Sequence, residues 1–146
     1  MLALRAHSEA EIREKLVKKG FDGEEQDTAV KRLKEHGYIN DENFALNLAS
    51  SRLRSKNWGM LKIQAELRRK GVADETVKTA TASIGKDDEL ASAIEAAGRY
   101  RKKNAKRARE MPEREFEMRT ARFLASRGFS YDAIKAAIKS SADDGE

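Results

Sequence analysis

The chain has 146 residues, 38% of them charged and 6% aromatic, with one proline and a net charge of +5. So few aromatics exclude one large apolar core, and abundant Ala, Glu, Lys and Arg favour helix. The absence of cysteine excludes disulfides and thiolate metal sites and suits a reducing compartment.

In chain order, Met1-Leu2-Ala3-Leu4 is too short for a signal sequence, and no apolar run approaches a membrane span, so a cytoplasmic protein without membrane contact is expected. Ser8 and Glu11 have the spacing of a capping box and predict a first helix with Ile12, Leu16 and Val17 on its core face, ending at Gly20. Asp22 and Glu25 start a second helix carrying Ala29, Val30 and Leu33. It ends at His36-Gly37, with Tyr38-Ile39 expected beneath the turn. A third helix runs from Asn40 or Asp41 to about Lys56, with Phe44 and Leu48 inward.

After a turn at Asn57-Trp58-Gly59, a helix is predicted from about Met60 to Lys70. Asp74 is the expected cap of the next, with Val77, Ala80 and Ile84 inward. Gly85-Lys86-Asp87 turns into a helix with Leu90, Ile94 and Ala97, which runs on into the basic stretch Arg99–Glu110. Met111-Pro112 reads as a break, with Pro112 near the start of a new helix. Phe116, Phe123 and Leu124 follow, then Gly128-Phe129, then Ser130 capping a helix with Ile134, Ala137 and Ile138. Ser140–Glu146 reads as a frayed acidic tail.

One pattern recurs three times. Ile12, Leu16, Gly20 and Phe21 share their spacing with Ile63, Leu67, Gly71 and Val72, and with Thr120, Leu124, Gly128 and Phe129. An alanine (Ala29, Ala80, Ala137) lies nine residues beyond each glycine. The glycines suit the left-handed residue that ends a helix, and the residue after each suits the apolar contact that follows. Successive glycines lie 51 and 57 residues apart, which marks a repeat protein. The expected architecture is all-α, with three-helix repeats at 1–56 and 57–110 and a third, shortened repeat at 111–146.

Charge is blocked along the chain. Residues 41–73 carry +4, 74–98 carry −4, and 99–139 carry +8. Two basic clusters follow, suited to a polyanion touched in two places. One combines Arg52, Arg54 and Lys56 with Lys62, Arg68, Arg69 and Lys70 around Trp58. The other is Arg99, Arg101, Lys102, Lys103, Lys106, Arg107 and Arg109, which at helical spacing line much of one side and can track a phosphate backbone. Trp58 either stacks on a partner or plugs the joint between repeats, and the aromatics after the glycines are expected in the core. His7, beside a helix cap, and His36, in a last turn, read as structural. The carboxylates Glu9, Glu11 and Glu14, and Asp87, Asp88 and Glu89, crowd helix starts, where they oppose the dipole. Phosphate-binding and metalloprotease motifs are absent, so no catalytic residue, metal or cofactor is expected.

The segments HSEAEIREKLVKKGF, HGYINDENFALNLASSRLR, WGMLKIQAELRRKGV and RFLASRGFSYDAIKAAI together resemble the RecX family, regulators of the bacterial RecA recombinase. The resemblance spans nearly the whole chain. It implies tandem three-helix repeats in an elongated, curved array, with no catalytic activity. It also implies a protein that binds the RecA–DNA filament, inhibits it and contacts DNA; a monomer that meets single- and double-stranded DNA without strong sequence specificity is expected. Where the family often has a Gly-Tyr-Gly-Pro-like turn, this chain reads Asn57-Trp58-Gly59-Met60, and any N-terminal extension is expected to be absent. The competing reading is a stand-alone helix-turn-helix DNA-binding protein, although no helix offers an obvious set of base-reading side chains.

Overall fold

The computed structural model describes residues 6–144, which hold nine helices and no strand. They are α1 (Glu9–Lys18), α2 (Gly23–Glu35), α3 (Asp41–Lys56), α4 (Met60–Arg69), α5 (Asp74–Ala82), α6 (Lys86–Lys103), α7 (Ala105–Glu110), α8 (Glu113–Ser126) and α9 (Tyr131–Asp144). The expected capping boxes form at α1 and α2. The Ser8 hydroxyl accepts from the Glu11 amide at 3.2 Å and Glu11 accepts from the Ser8 amide at 3.0 Å, while Asp22 and Glu25 do the same for α2.

The chain folds as two compact units, residues 1–48 with 64–83 and residues 49–63 with 84–146. In the first, Ile12, Val30 and Ile39 form a small core flanked by Leu16 and Leu33, while Leu67, Val72, Val77 and Ala80 are also buried. In the second, α6 packs against α8 and α9. Its small face of Ala93, Ala96 and Ala97 lets Leu124, Phe129, Ala133 and Ala137 come close, and truncating Leu124 or Phe129 there should cost about 3–5 kcal/mol.

The repeated glycines end their helices in one way. Gly20, Gly71 and Gly128 have φ of 89°, 82° and 86°. In each case the next amide reaches back five residues, from Phe21 to Leu16, Val72 to Leu67 and Phe129 to Leu124, at 3.1–3.2 Å. These are Schellman caps, which satisfy carbonyls that the helix leaves open.

Several expectations change. Val72 and Phe129 are buried after their glycines, but Phe21 is 40% exposed, Tyr38 64% and Val17 58%. A Cβ at Gly20 or Gly37 would meet open space, so among the described residues no helix start docks on these caps to cover their neighbours. Asp74 does not cap α5. The N-cap is Ala73, one residue earlier, and Asp74 pairs with Arg68 at 2.9 Å and Lys78 at 3.3 Å. The Arg68 hydrogen bond, then that of Lys78, holds the Asp74 carboxyl below its ordinary value. Ser140–Asp144 continue α9 instead of fraying, and the last two tail residues, 145–146, lie outside the described residues. No described helix is long and apolar enough to cross a membrane.

Candidate functional site

The start of one repeat docks on the glycine cap of the next, and this happens twice. At the first joint the Ser8 hydroxyl donates to the Lys70 carbonyl at 2.7 Å, and a Cβ on Gly71 would overlap that of Ala10. At the second, the Gly59 amide donates to the Arg127 carbonyl at 2.8 Å and the Leu61 amide to that of Gly128 at 2.9 Å. A Cβ on Gly128 would overlap the Lys62 backbone, and one on Gly59 the backbone of Phe129. The repeat spacing of 51 places Trp58, Gly59 and Lys62 where the first joint has His7, Ser8 and Glu11. The spacing of 57 places Arg127 where it has Lys70.

The two joints differ in charge. In the first, Lys70 pairs with Glu11 at 3.6 Å, and His7 lies buried with its Nδ1 4.0 Å from the same carboxylate. In the second, both corresponding positions are cations, Lys62 and Arg127. The nearby buried carboxylate, Glu89, is committed elsewhere. It caps α4 by accepting from the Met60 amide at 2.9 Å, and it accepts from the Ser130 hydroxyl at 2.8 Å. Its place in the first turn of α6 matches its expected structural role.

Trp58 sits half-buried at the second joint, with the Lys62 ammonium 4.4 Å, Lys56 5.4 Å and Arg52 5.5 Å from its ring centroid. Cations over an indole face are attracted by its quadrupole, which holds them together against their own repulsion. The turn is fixed by Asn57, a non-glycine residue at φ 51°. Asparagine tolerates this conformation better than most residues, and the Trp58 amide reaches back six residues to the Arg52 carbonyl at 3.2 Å, one residue further than in the glycine caps. The Asn57 side chain donates to the Ser92 hydroxyl at 3.0 Å and accepts from Arg99 at 3.0 Å.

Beside this turn lies a cavity of about 270 Å³, with Lys56, Arg99, Lys103 and Arg127 around it and Tyr100 and Phe123 in its wall. The two rings stack at 4.7 Å, and the Arg127 guanidinium lies 5.2 Å over Phe123. Arg99 is oriented by Asn57 and by Glu95 at 2.6 Å. Lys56, Lys62, Lys103 and Arg127 have no carboxylate within ion-pair distance among the described residues.

Of the other sequence candidates, Arg68 and Lys70 are held by Asp74 and Glu11. Arg101 pairs with Glu113 and lies 4.8 Å over the Phe116 ring. Arg54, Arg69, Lys102, Lys106, Arg107 and Arg109 are exposed. The stretch from Arg99 to Arg109 is not one continuous stripe. α6 stops at Lys103, the Asn104 amide side chain turns back to the Tyr100 carbonyl at 2.9 Å, and α7 begins at Ala105. Composition missed Asn57, Tyr100, Phe123 and Arg127 as parts of the site. The available signal was that Arg127, like Lys70, precedes a repeat glycine. No group of three or more His, Asp or Glu side chains that could hold a metal exists among the described residues. His36 is the C-cap of α2, its Nδ1 donating to the Arg32 carbonyl at 2.8 Å.

Fold and site together define a protein of tandem three-helix domains with cations clustered at one joint. The comparisons give that class its family. Models of the first, second and third three-helix domains of RecX match residues 1–33, 40–80 and 87–138. The "Regulatory protein RecX" of Pelodictyon phaeoclathratiforme is 35% identical over 95% of this chain and 82% of its own length. That of Clostridium perfringens is 33% identical over 90% of this chain and 60% of its own length. A crystal structure of RecX from Lactobacillus salivarius superposes with a TM-score of 0.86 at 22% identity, covering 95% of this chain and 88% of that one. The chain belongs to the RecX family.

Proposed function

We propose that this protein regulates the RecA recombinase by binding the RecA–DNA filament and inhibiting it, limiting its extension, ATP hydrolysis and strand exchange. It acts as a monomer, without cofactor or catalysis of its own. The reading rests on membership of a family whose curated relatives are named as regulatory proteins. The observation that carries it to particular residues is the second joint, where Lys62 and Arg127, with no carboxylate partner among the described residues, stand in place of the Lys70–Glu11 ion pair of the first. A binder that prefers one filament state shifts the filament's equilibrium by mass action, with no chemistry in the regulator. Cations of this kind serve contacts to DNA phosphates or to acidic recombinase side chains, without reading sequence.

The test is RecA's DNA-dependent ATP hydrolysis, with this protein titrated well below the recombinase concentration. Substoichiometric inhibition is the expected result. No effect on RecA together with salt-sensitive binding to free duplex would overturn the reading and leave a stand-alone helix-turn-helix-like DNA-binding protein.

A further inference from the structure

We infer that the cavity beside the Asn57 turn is a pocket for one nucleotide of a single DNA strand, its cations taking the phosphate and its aromatic wall the base. The inference deepens the proposed function by assigning DNA, not the recombinase, to this part of the surface, and takes its biological setting from that reading. Three features support it. Lys56 of α3, Arg99 and Lys103 of α6 and Arg127 at the cap of α8 converge on one concave space with no carboxylate in its lining. Of these, only Arg99 has an acidic partner among the described residues, so the cluster holds uncompensated charge that an anion would neutralise.

Size and wall chemistry then choose among anions. A volume of about 270 Å³ lies just under the range of small-molecule sites, roughly 300 Å³ and above, so it admits one nucleotide and no helix or duplex. An aspartate or glutamate side chain would use the cations and leave Tyr100 and Phe123 idle. A nucleotide uses both, its phosphate against the cations and its base along the edges of Tyr100 and Phe123, whose faces are already taken up by each other, by Phe116 and by Arg127. Guanidinium forks from Arg99 and Arg127 also match phosphate geometry. The neighbouring Trp58, with Lys56 over its ring, lies close enough to the cavity to report on occupancy.

The experiment uses the full chain and a fluorescein-labelled twelve-residue oligothymidylate, with binding read by polarisation between 50 and 200 mM salt. The Lys103→Glu/Arg127→Glu variant is expected to bind at least about tenfold more weakly at 50 mM. Its log-log salt slope should fall by about 0.7, the value for losing the one phosphate held in the pocket on a single strand. The Lys135→Glu/Lys139→Glu variant makes the same charge change at exposed positions of α9 and should lose less than about threefold. Circular dichroism establishes that both fold. Should the first variant unfold, quenching of Trp58 in the wild-type protein replaces it: quenching by the oligothymidylate, and less by an abasic strand of equal length, supports the pocket. Equal losses in the two variants would overturn the inference in favour of diffuse charge. Unchanged oligonucleotide binding in the first variant, with RecA inhibition lost, would overturn it in favour of a protein carboxylate. If the wild-type protein binds the strand as described but never inhibits RecA, the proposed function fails and the pocket stands.

Discussion

The joint between the first and second repeats and the joint between the second and third share a backbone and oppose each other in charge. Both set the start of one helix against the glycine cap of another, with a hydrogen bond to the carbonyl just before the glycine. The first closes its polar groups on one another: Glu11 completes the capping box of α1, pairs with Lys70 and lies near the buried His7. The second presents Lys62 and Arg127 in those places and half-exposes Trp58 beneath three cations. Repeat geometry is therefore fixed by glycines and caps. Charge at the joint is free to diverge, from a closed ion pair at the first to clustered cations at the second.

The largest expected effect tests the shared backbone. Gly128→Ala adds a methyl overlapping the Lys62 backbone at a φ of 86°, so strain and overpacking together should cost about 3 kcal/mol or more. Gly20→Ala meets open space and should cost only the left-handed conformation, about 1 kcal/mol. Urea unfolding measures both, and equal losses would show that the second joint is not closely packed.

Next comes Asn57, whose side chain ties the turn of the second joint to α6. Asn57→Gly keeps the backbone conformation and gives up the bonds to Ser92 and Arg99, costing about 1–2 kcal/mol. Asn57→Ala adds about 1 kcal/mol of backbone strain. A larger loss for glycine than for alanine would contradict this account of the turn.

Importing one joint's charge into the other should have asymmetric consequences. Glu11→Lys breaks the capping box and faces Lys70, lowering stability by about 1–2 kcal/mol. Lys62→Glu gives up one cation–π contact, about 1 kcal/mol or less, and supplies Arg127 with an opposite charge nearby. Thermal melts that rank the two the other way would remove the distinction between a closed joint and an open one.

The smallest effect is in pH. Lys34 at 2.5 Å, and after it Arg13, hold the Glu9 carboxyl below its ordinary value of about 4.5. The unfolded chain then binds more protons than the folded one, so this contribution is full above that ordinary value and is lost as pH falls through the folded one. Glu9→Gln should be less stable than the wild type at neutral pH, and the gap should close below about pH 4.5. The corresponding residue in the second repeat, Met60, does not titrate, so Met60→Leu should show no such convergence.

Much of the fold was legible because it is written locally. Ser8 with Glu11, Asp22 with Glu25, and the glycines after Leu16, Leu67 and Leu124 each determine a helix end from residues a few positions apart. What was illegible depends on contacts between distant segments. Phe21 and Phe129 have the same local setting, and only docking of another helix start decides that one is exposed and the other buried. The candidate site divides in the same way. A run of charge picks out Lys103 and also Lys102, Lys106 and Arg109, because it cannot see that Asn104 interrupts the helix. Arg127 stands apart from any run and joins the cavity only through the close approach of Gly59 and Gly128.

The central claim is that the second joint binds because it lacks the carboxylate of the first. It is tested most directly by Lys62→Glu in RecA's DNA-dependent ATP hydrolysis, with wild type and variant titrated side by side after their folds are matched by circular dichroism. The account predicts that the variant, folded as stably to within about 1 kcal/mol, needs at least about tenfold more protein for half-inhibition, equivalent to about 1.4 kcal/mol. A folded Lys62→Glu protein that inhibits as well as the wild type would contradict it.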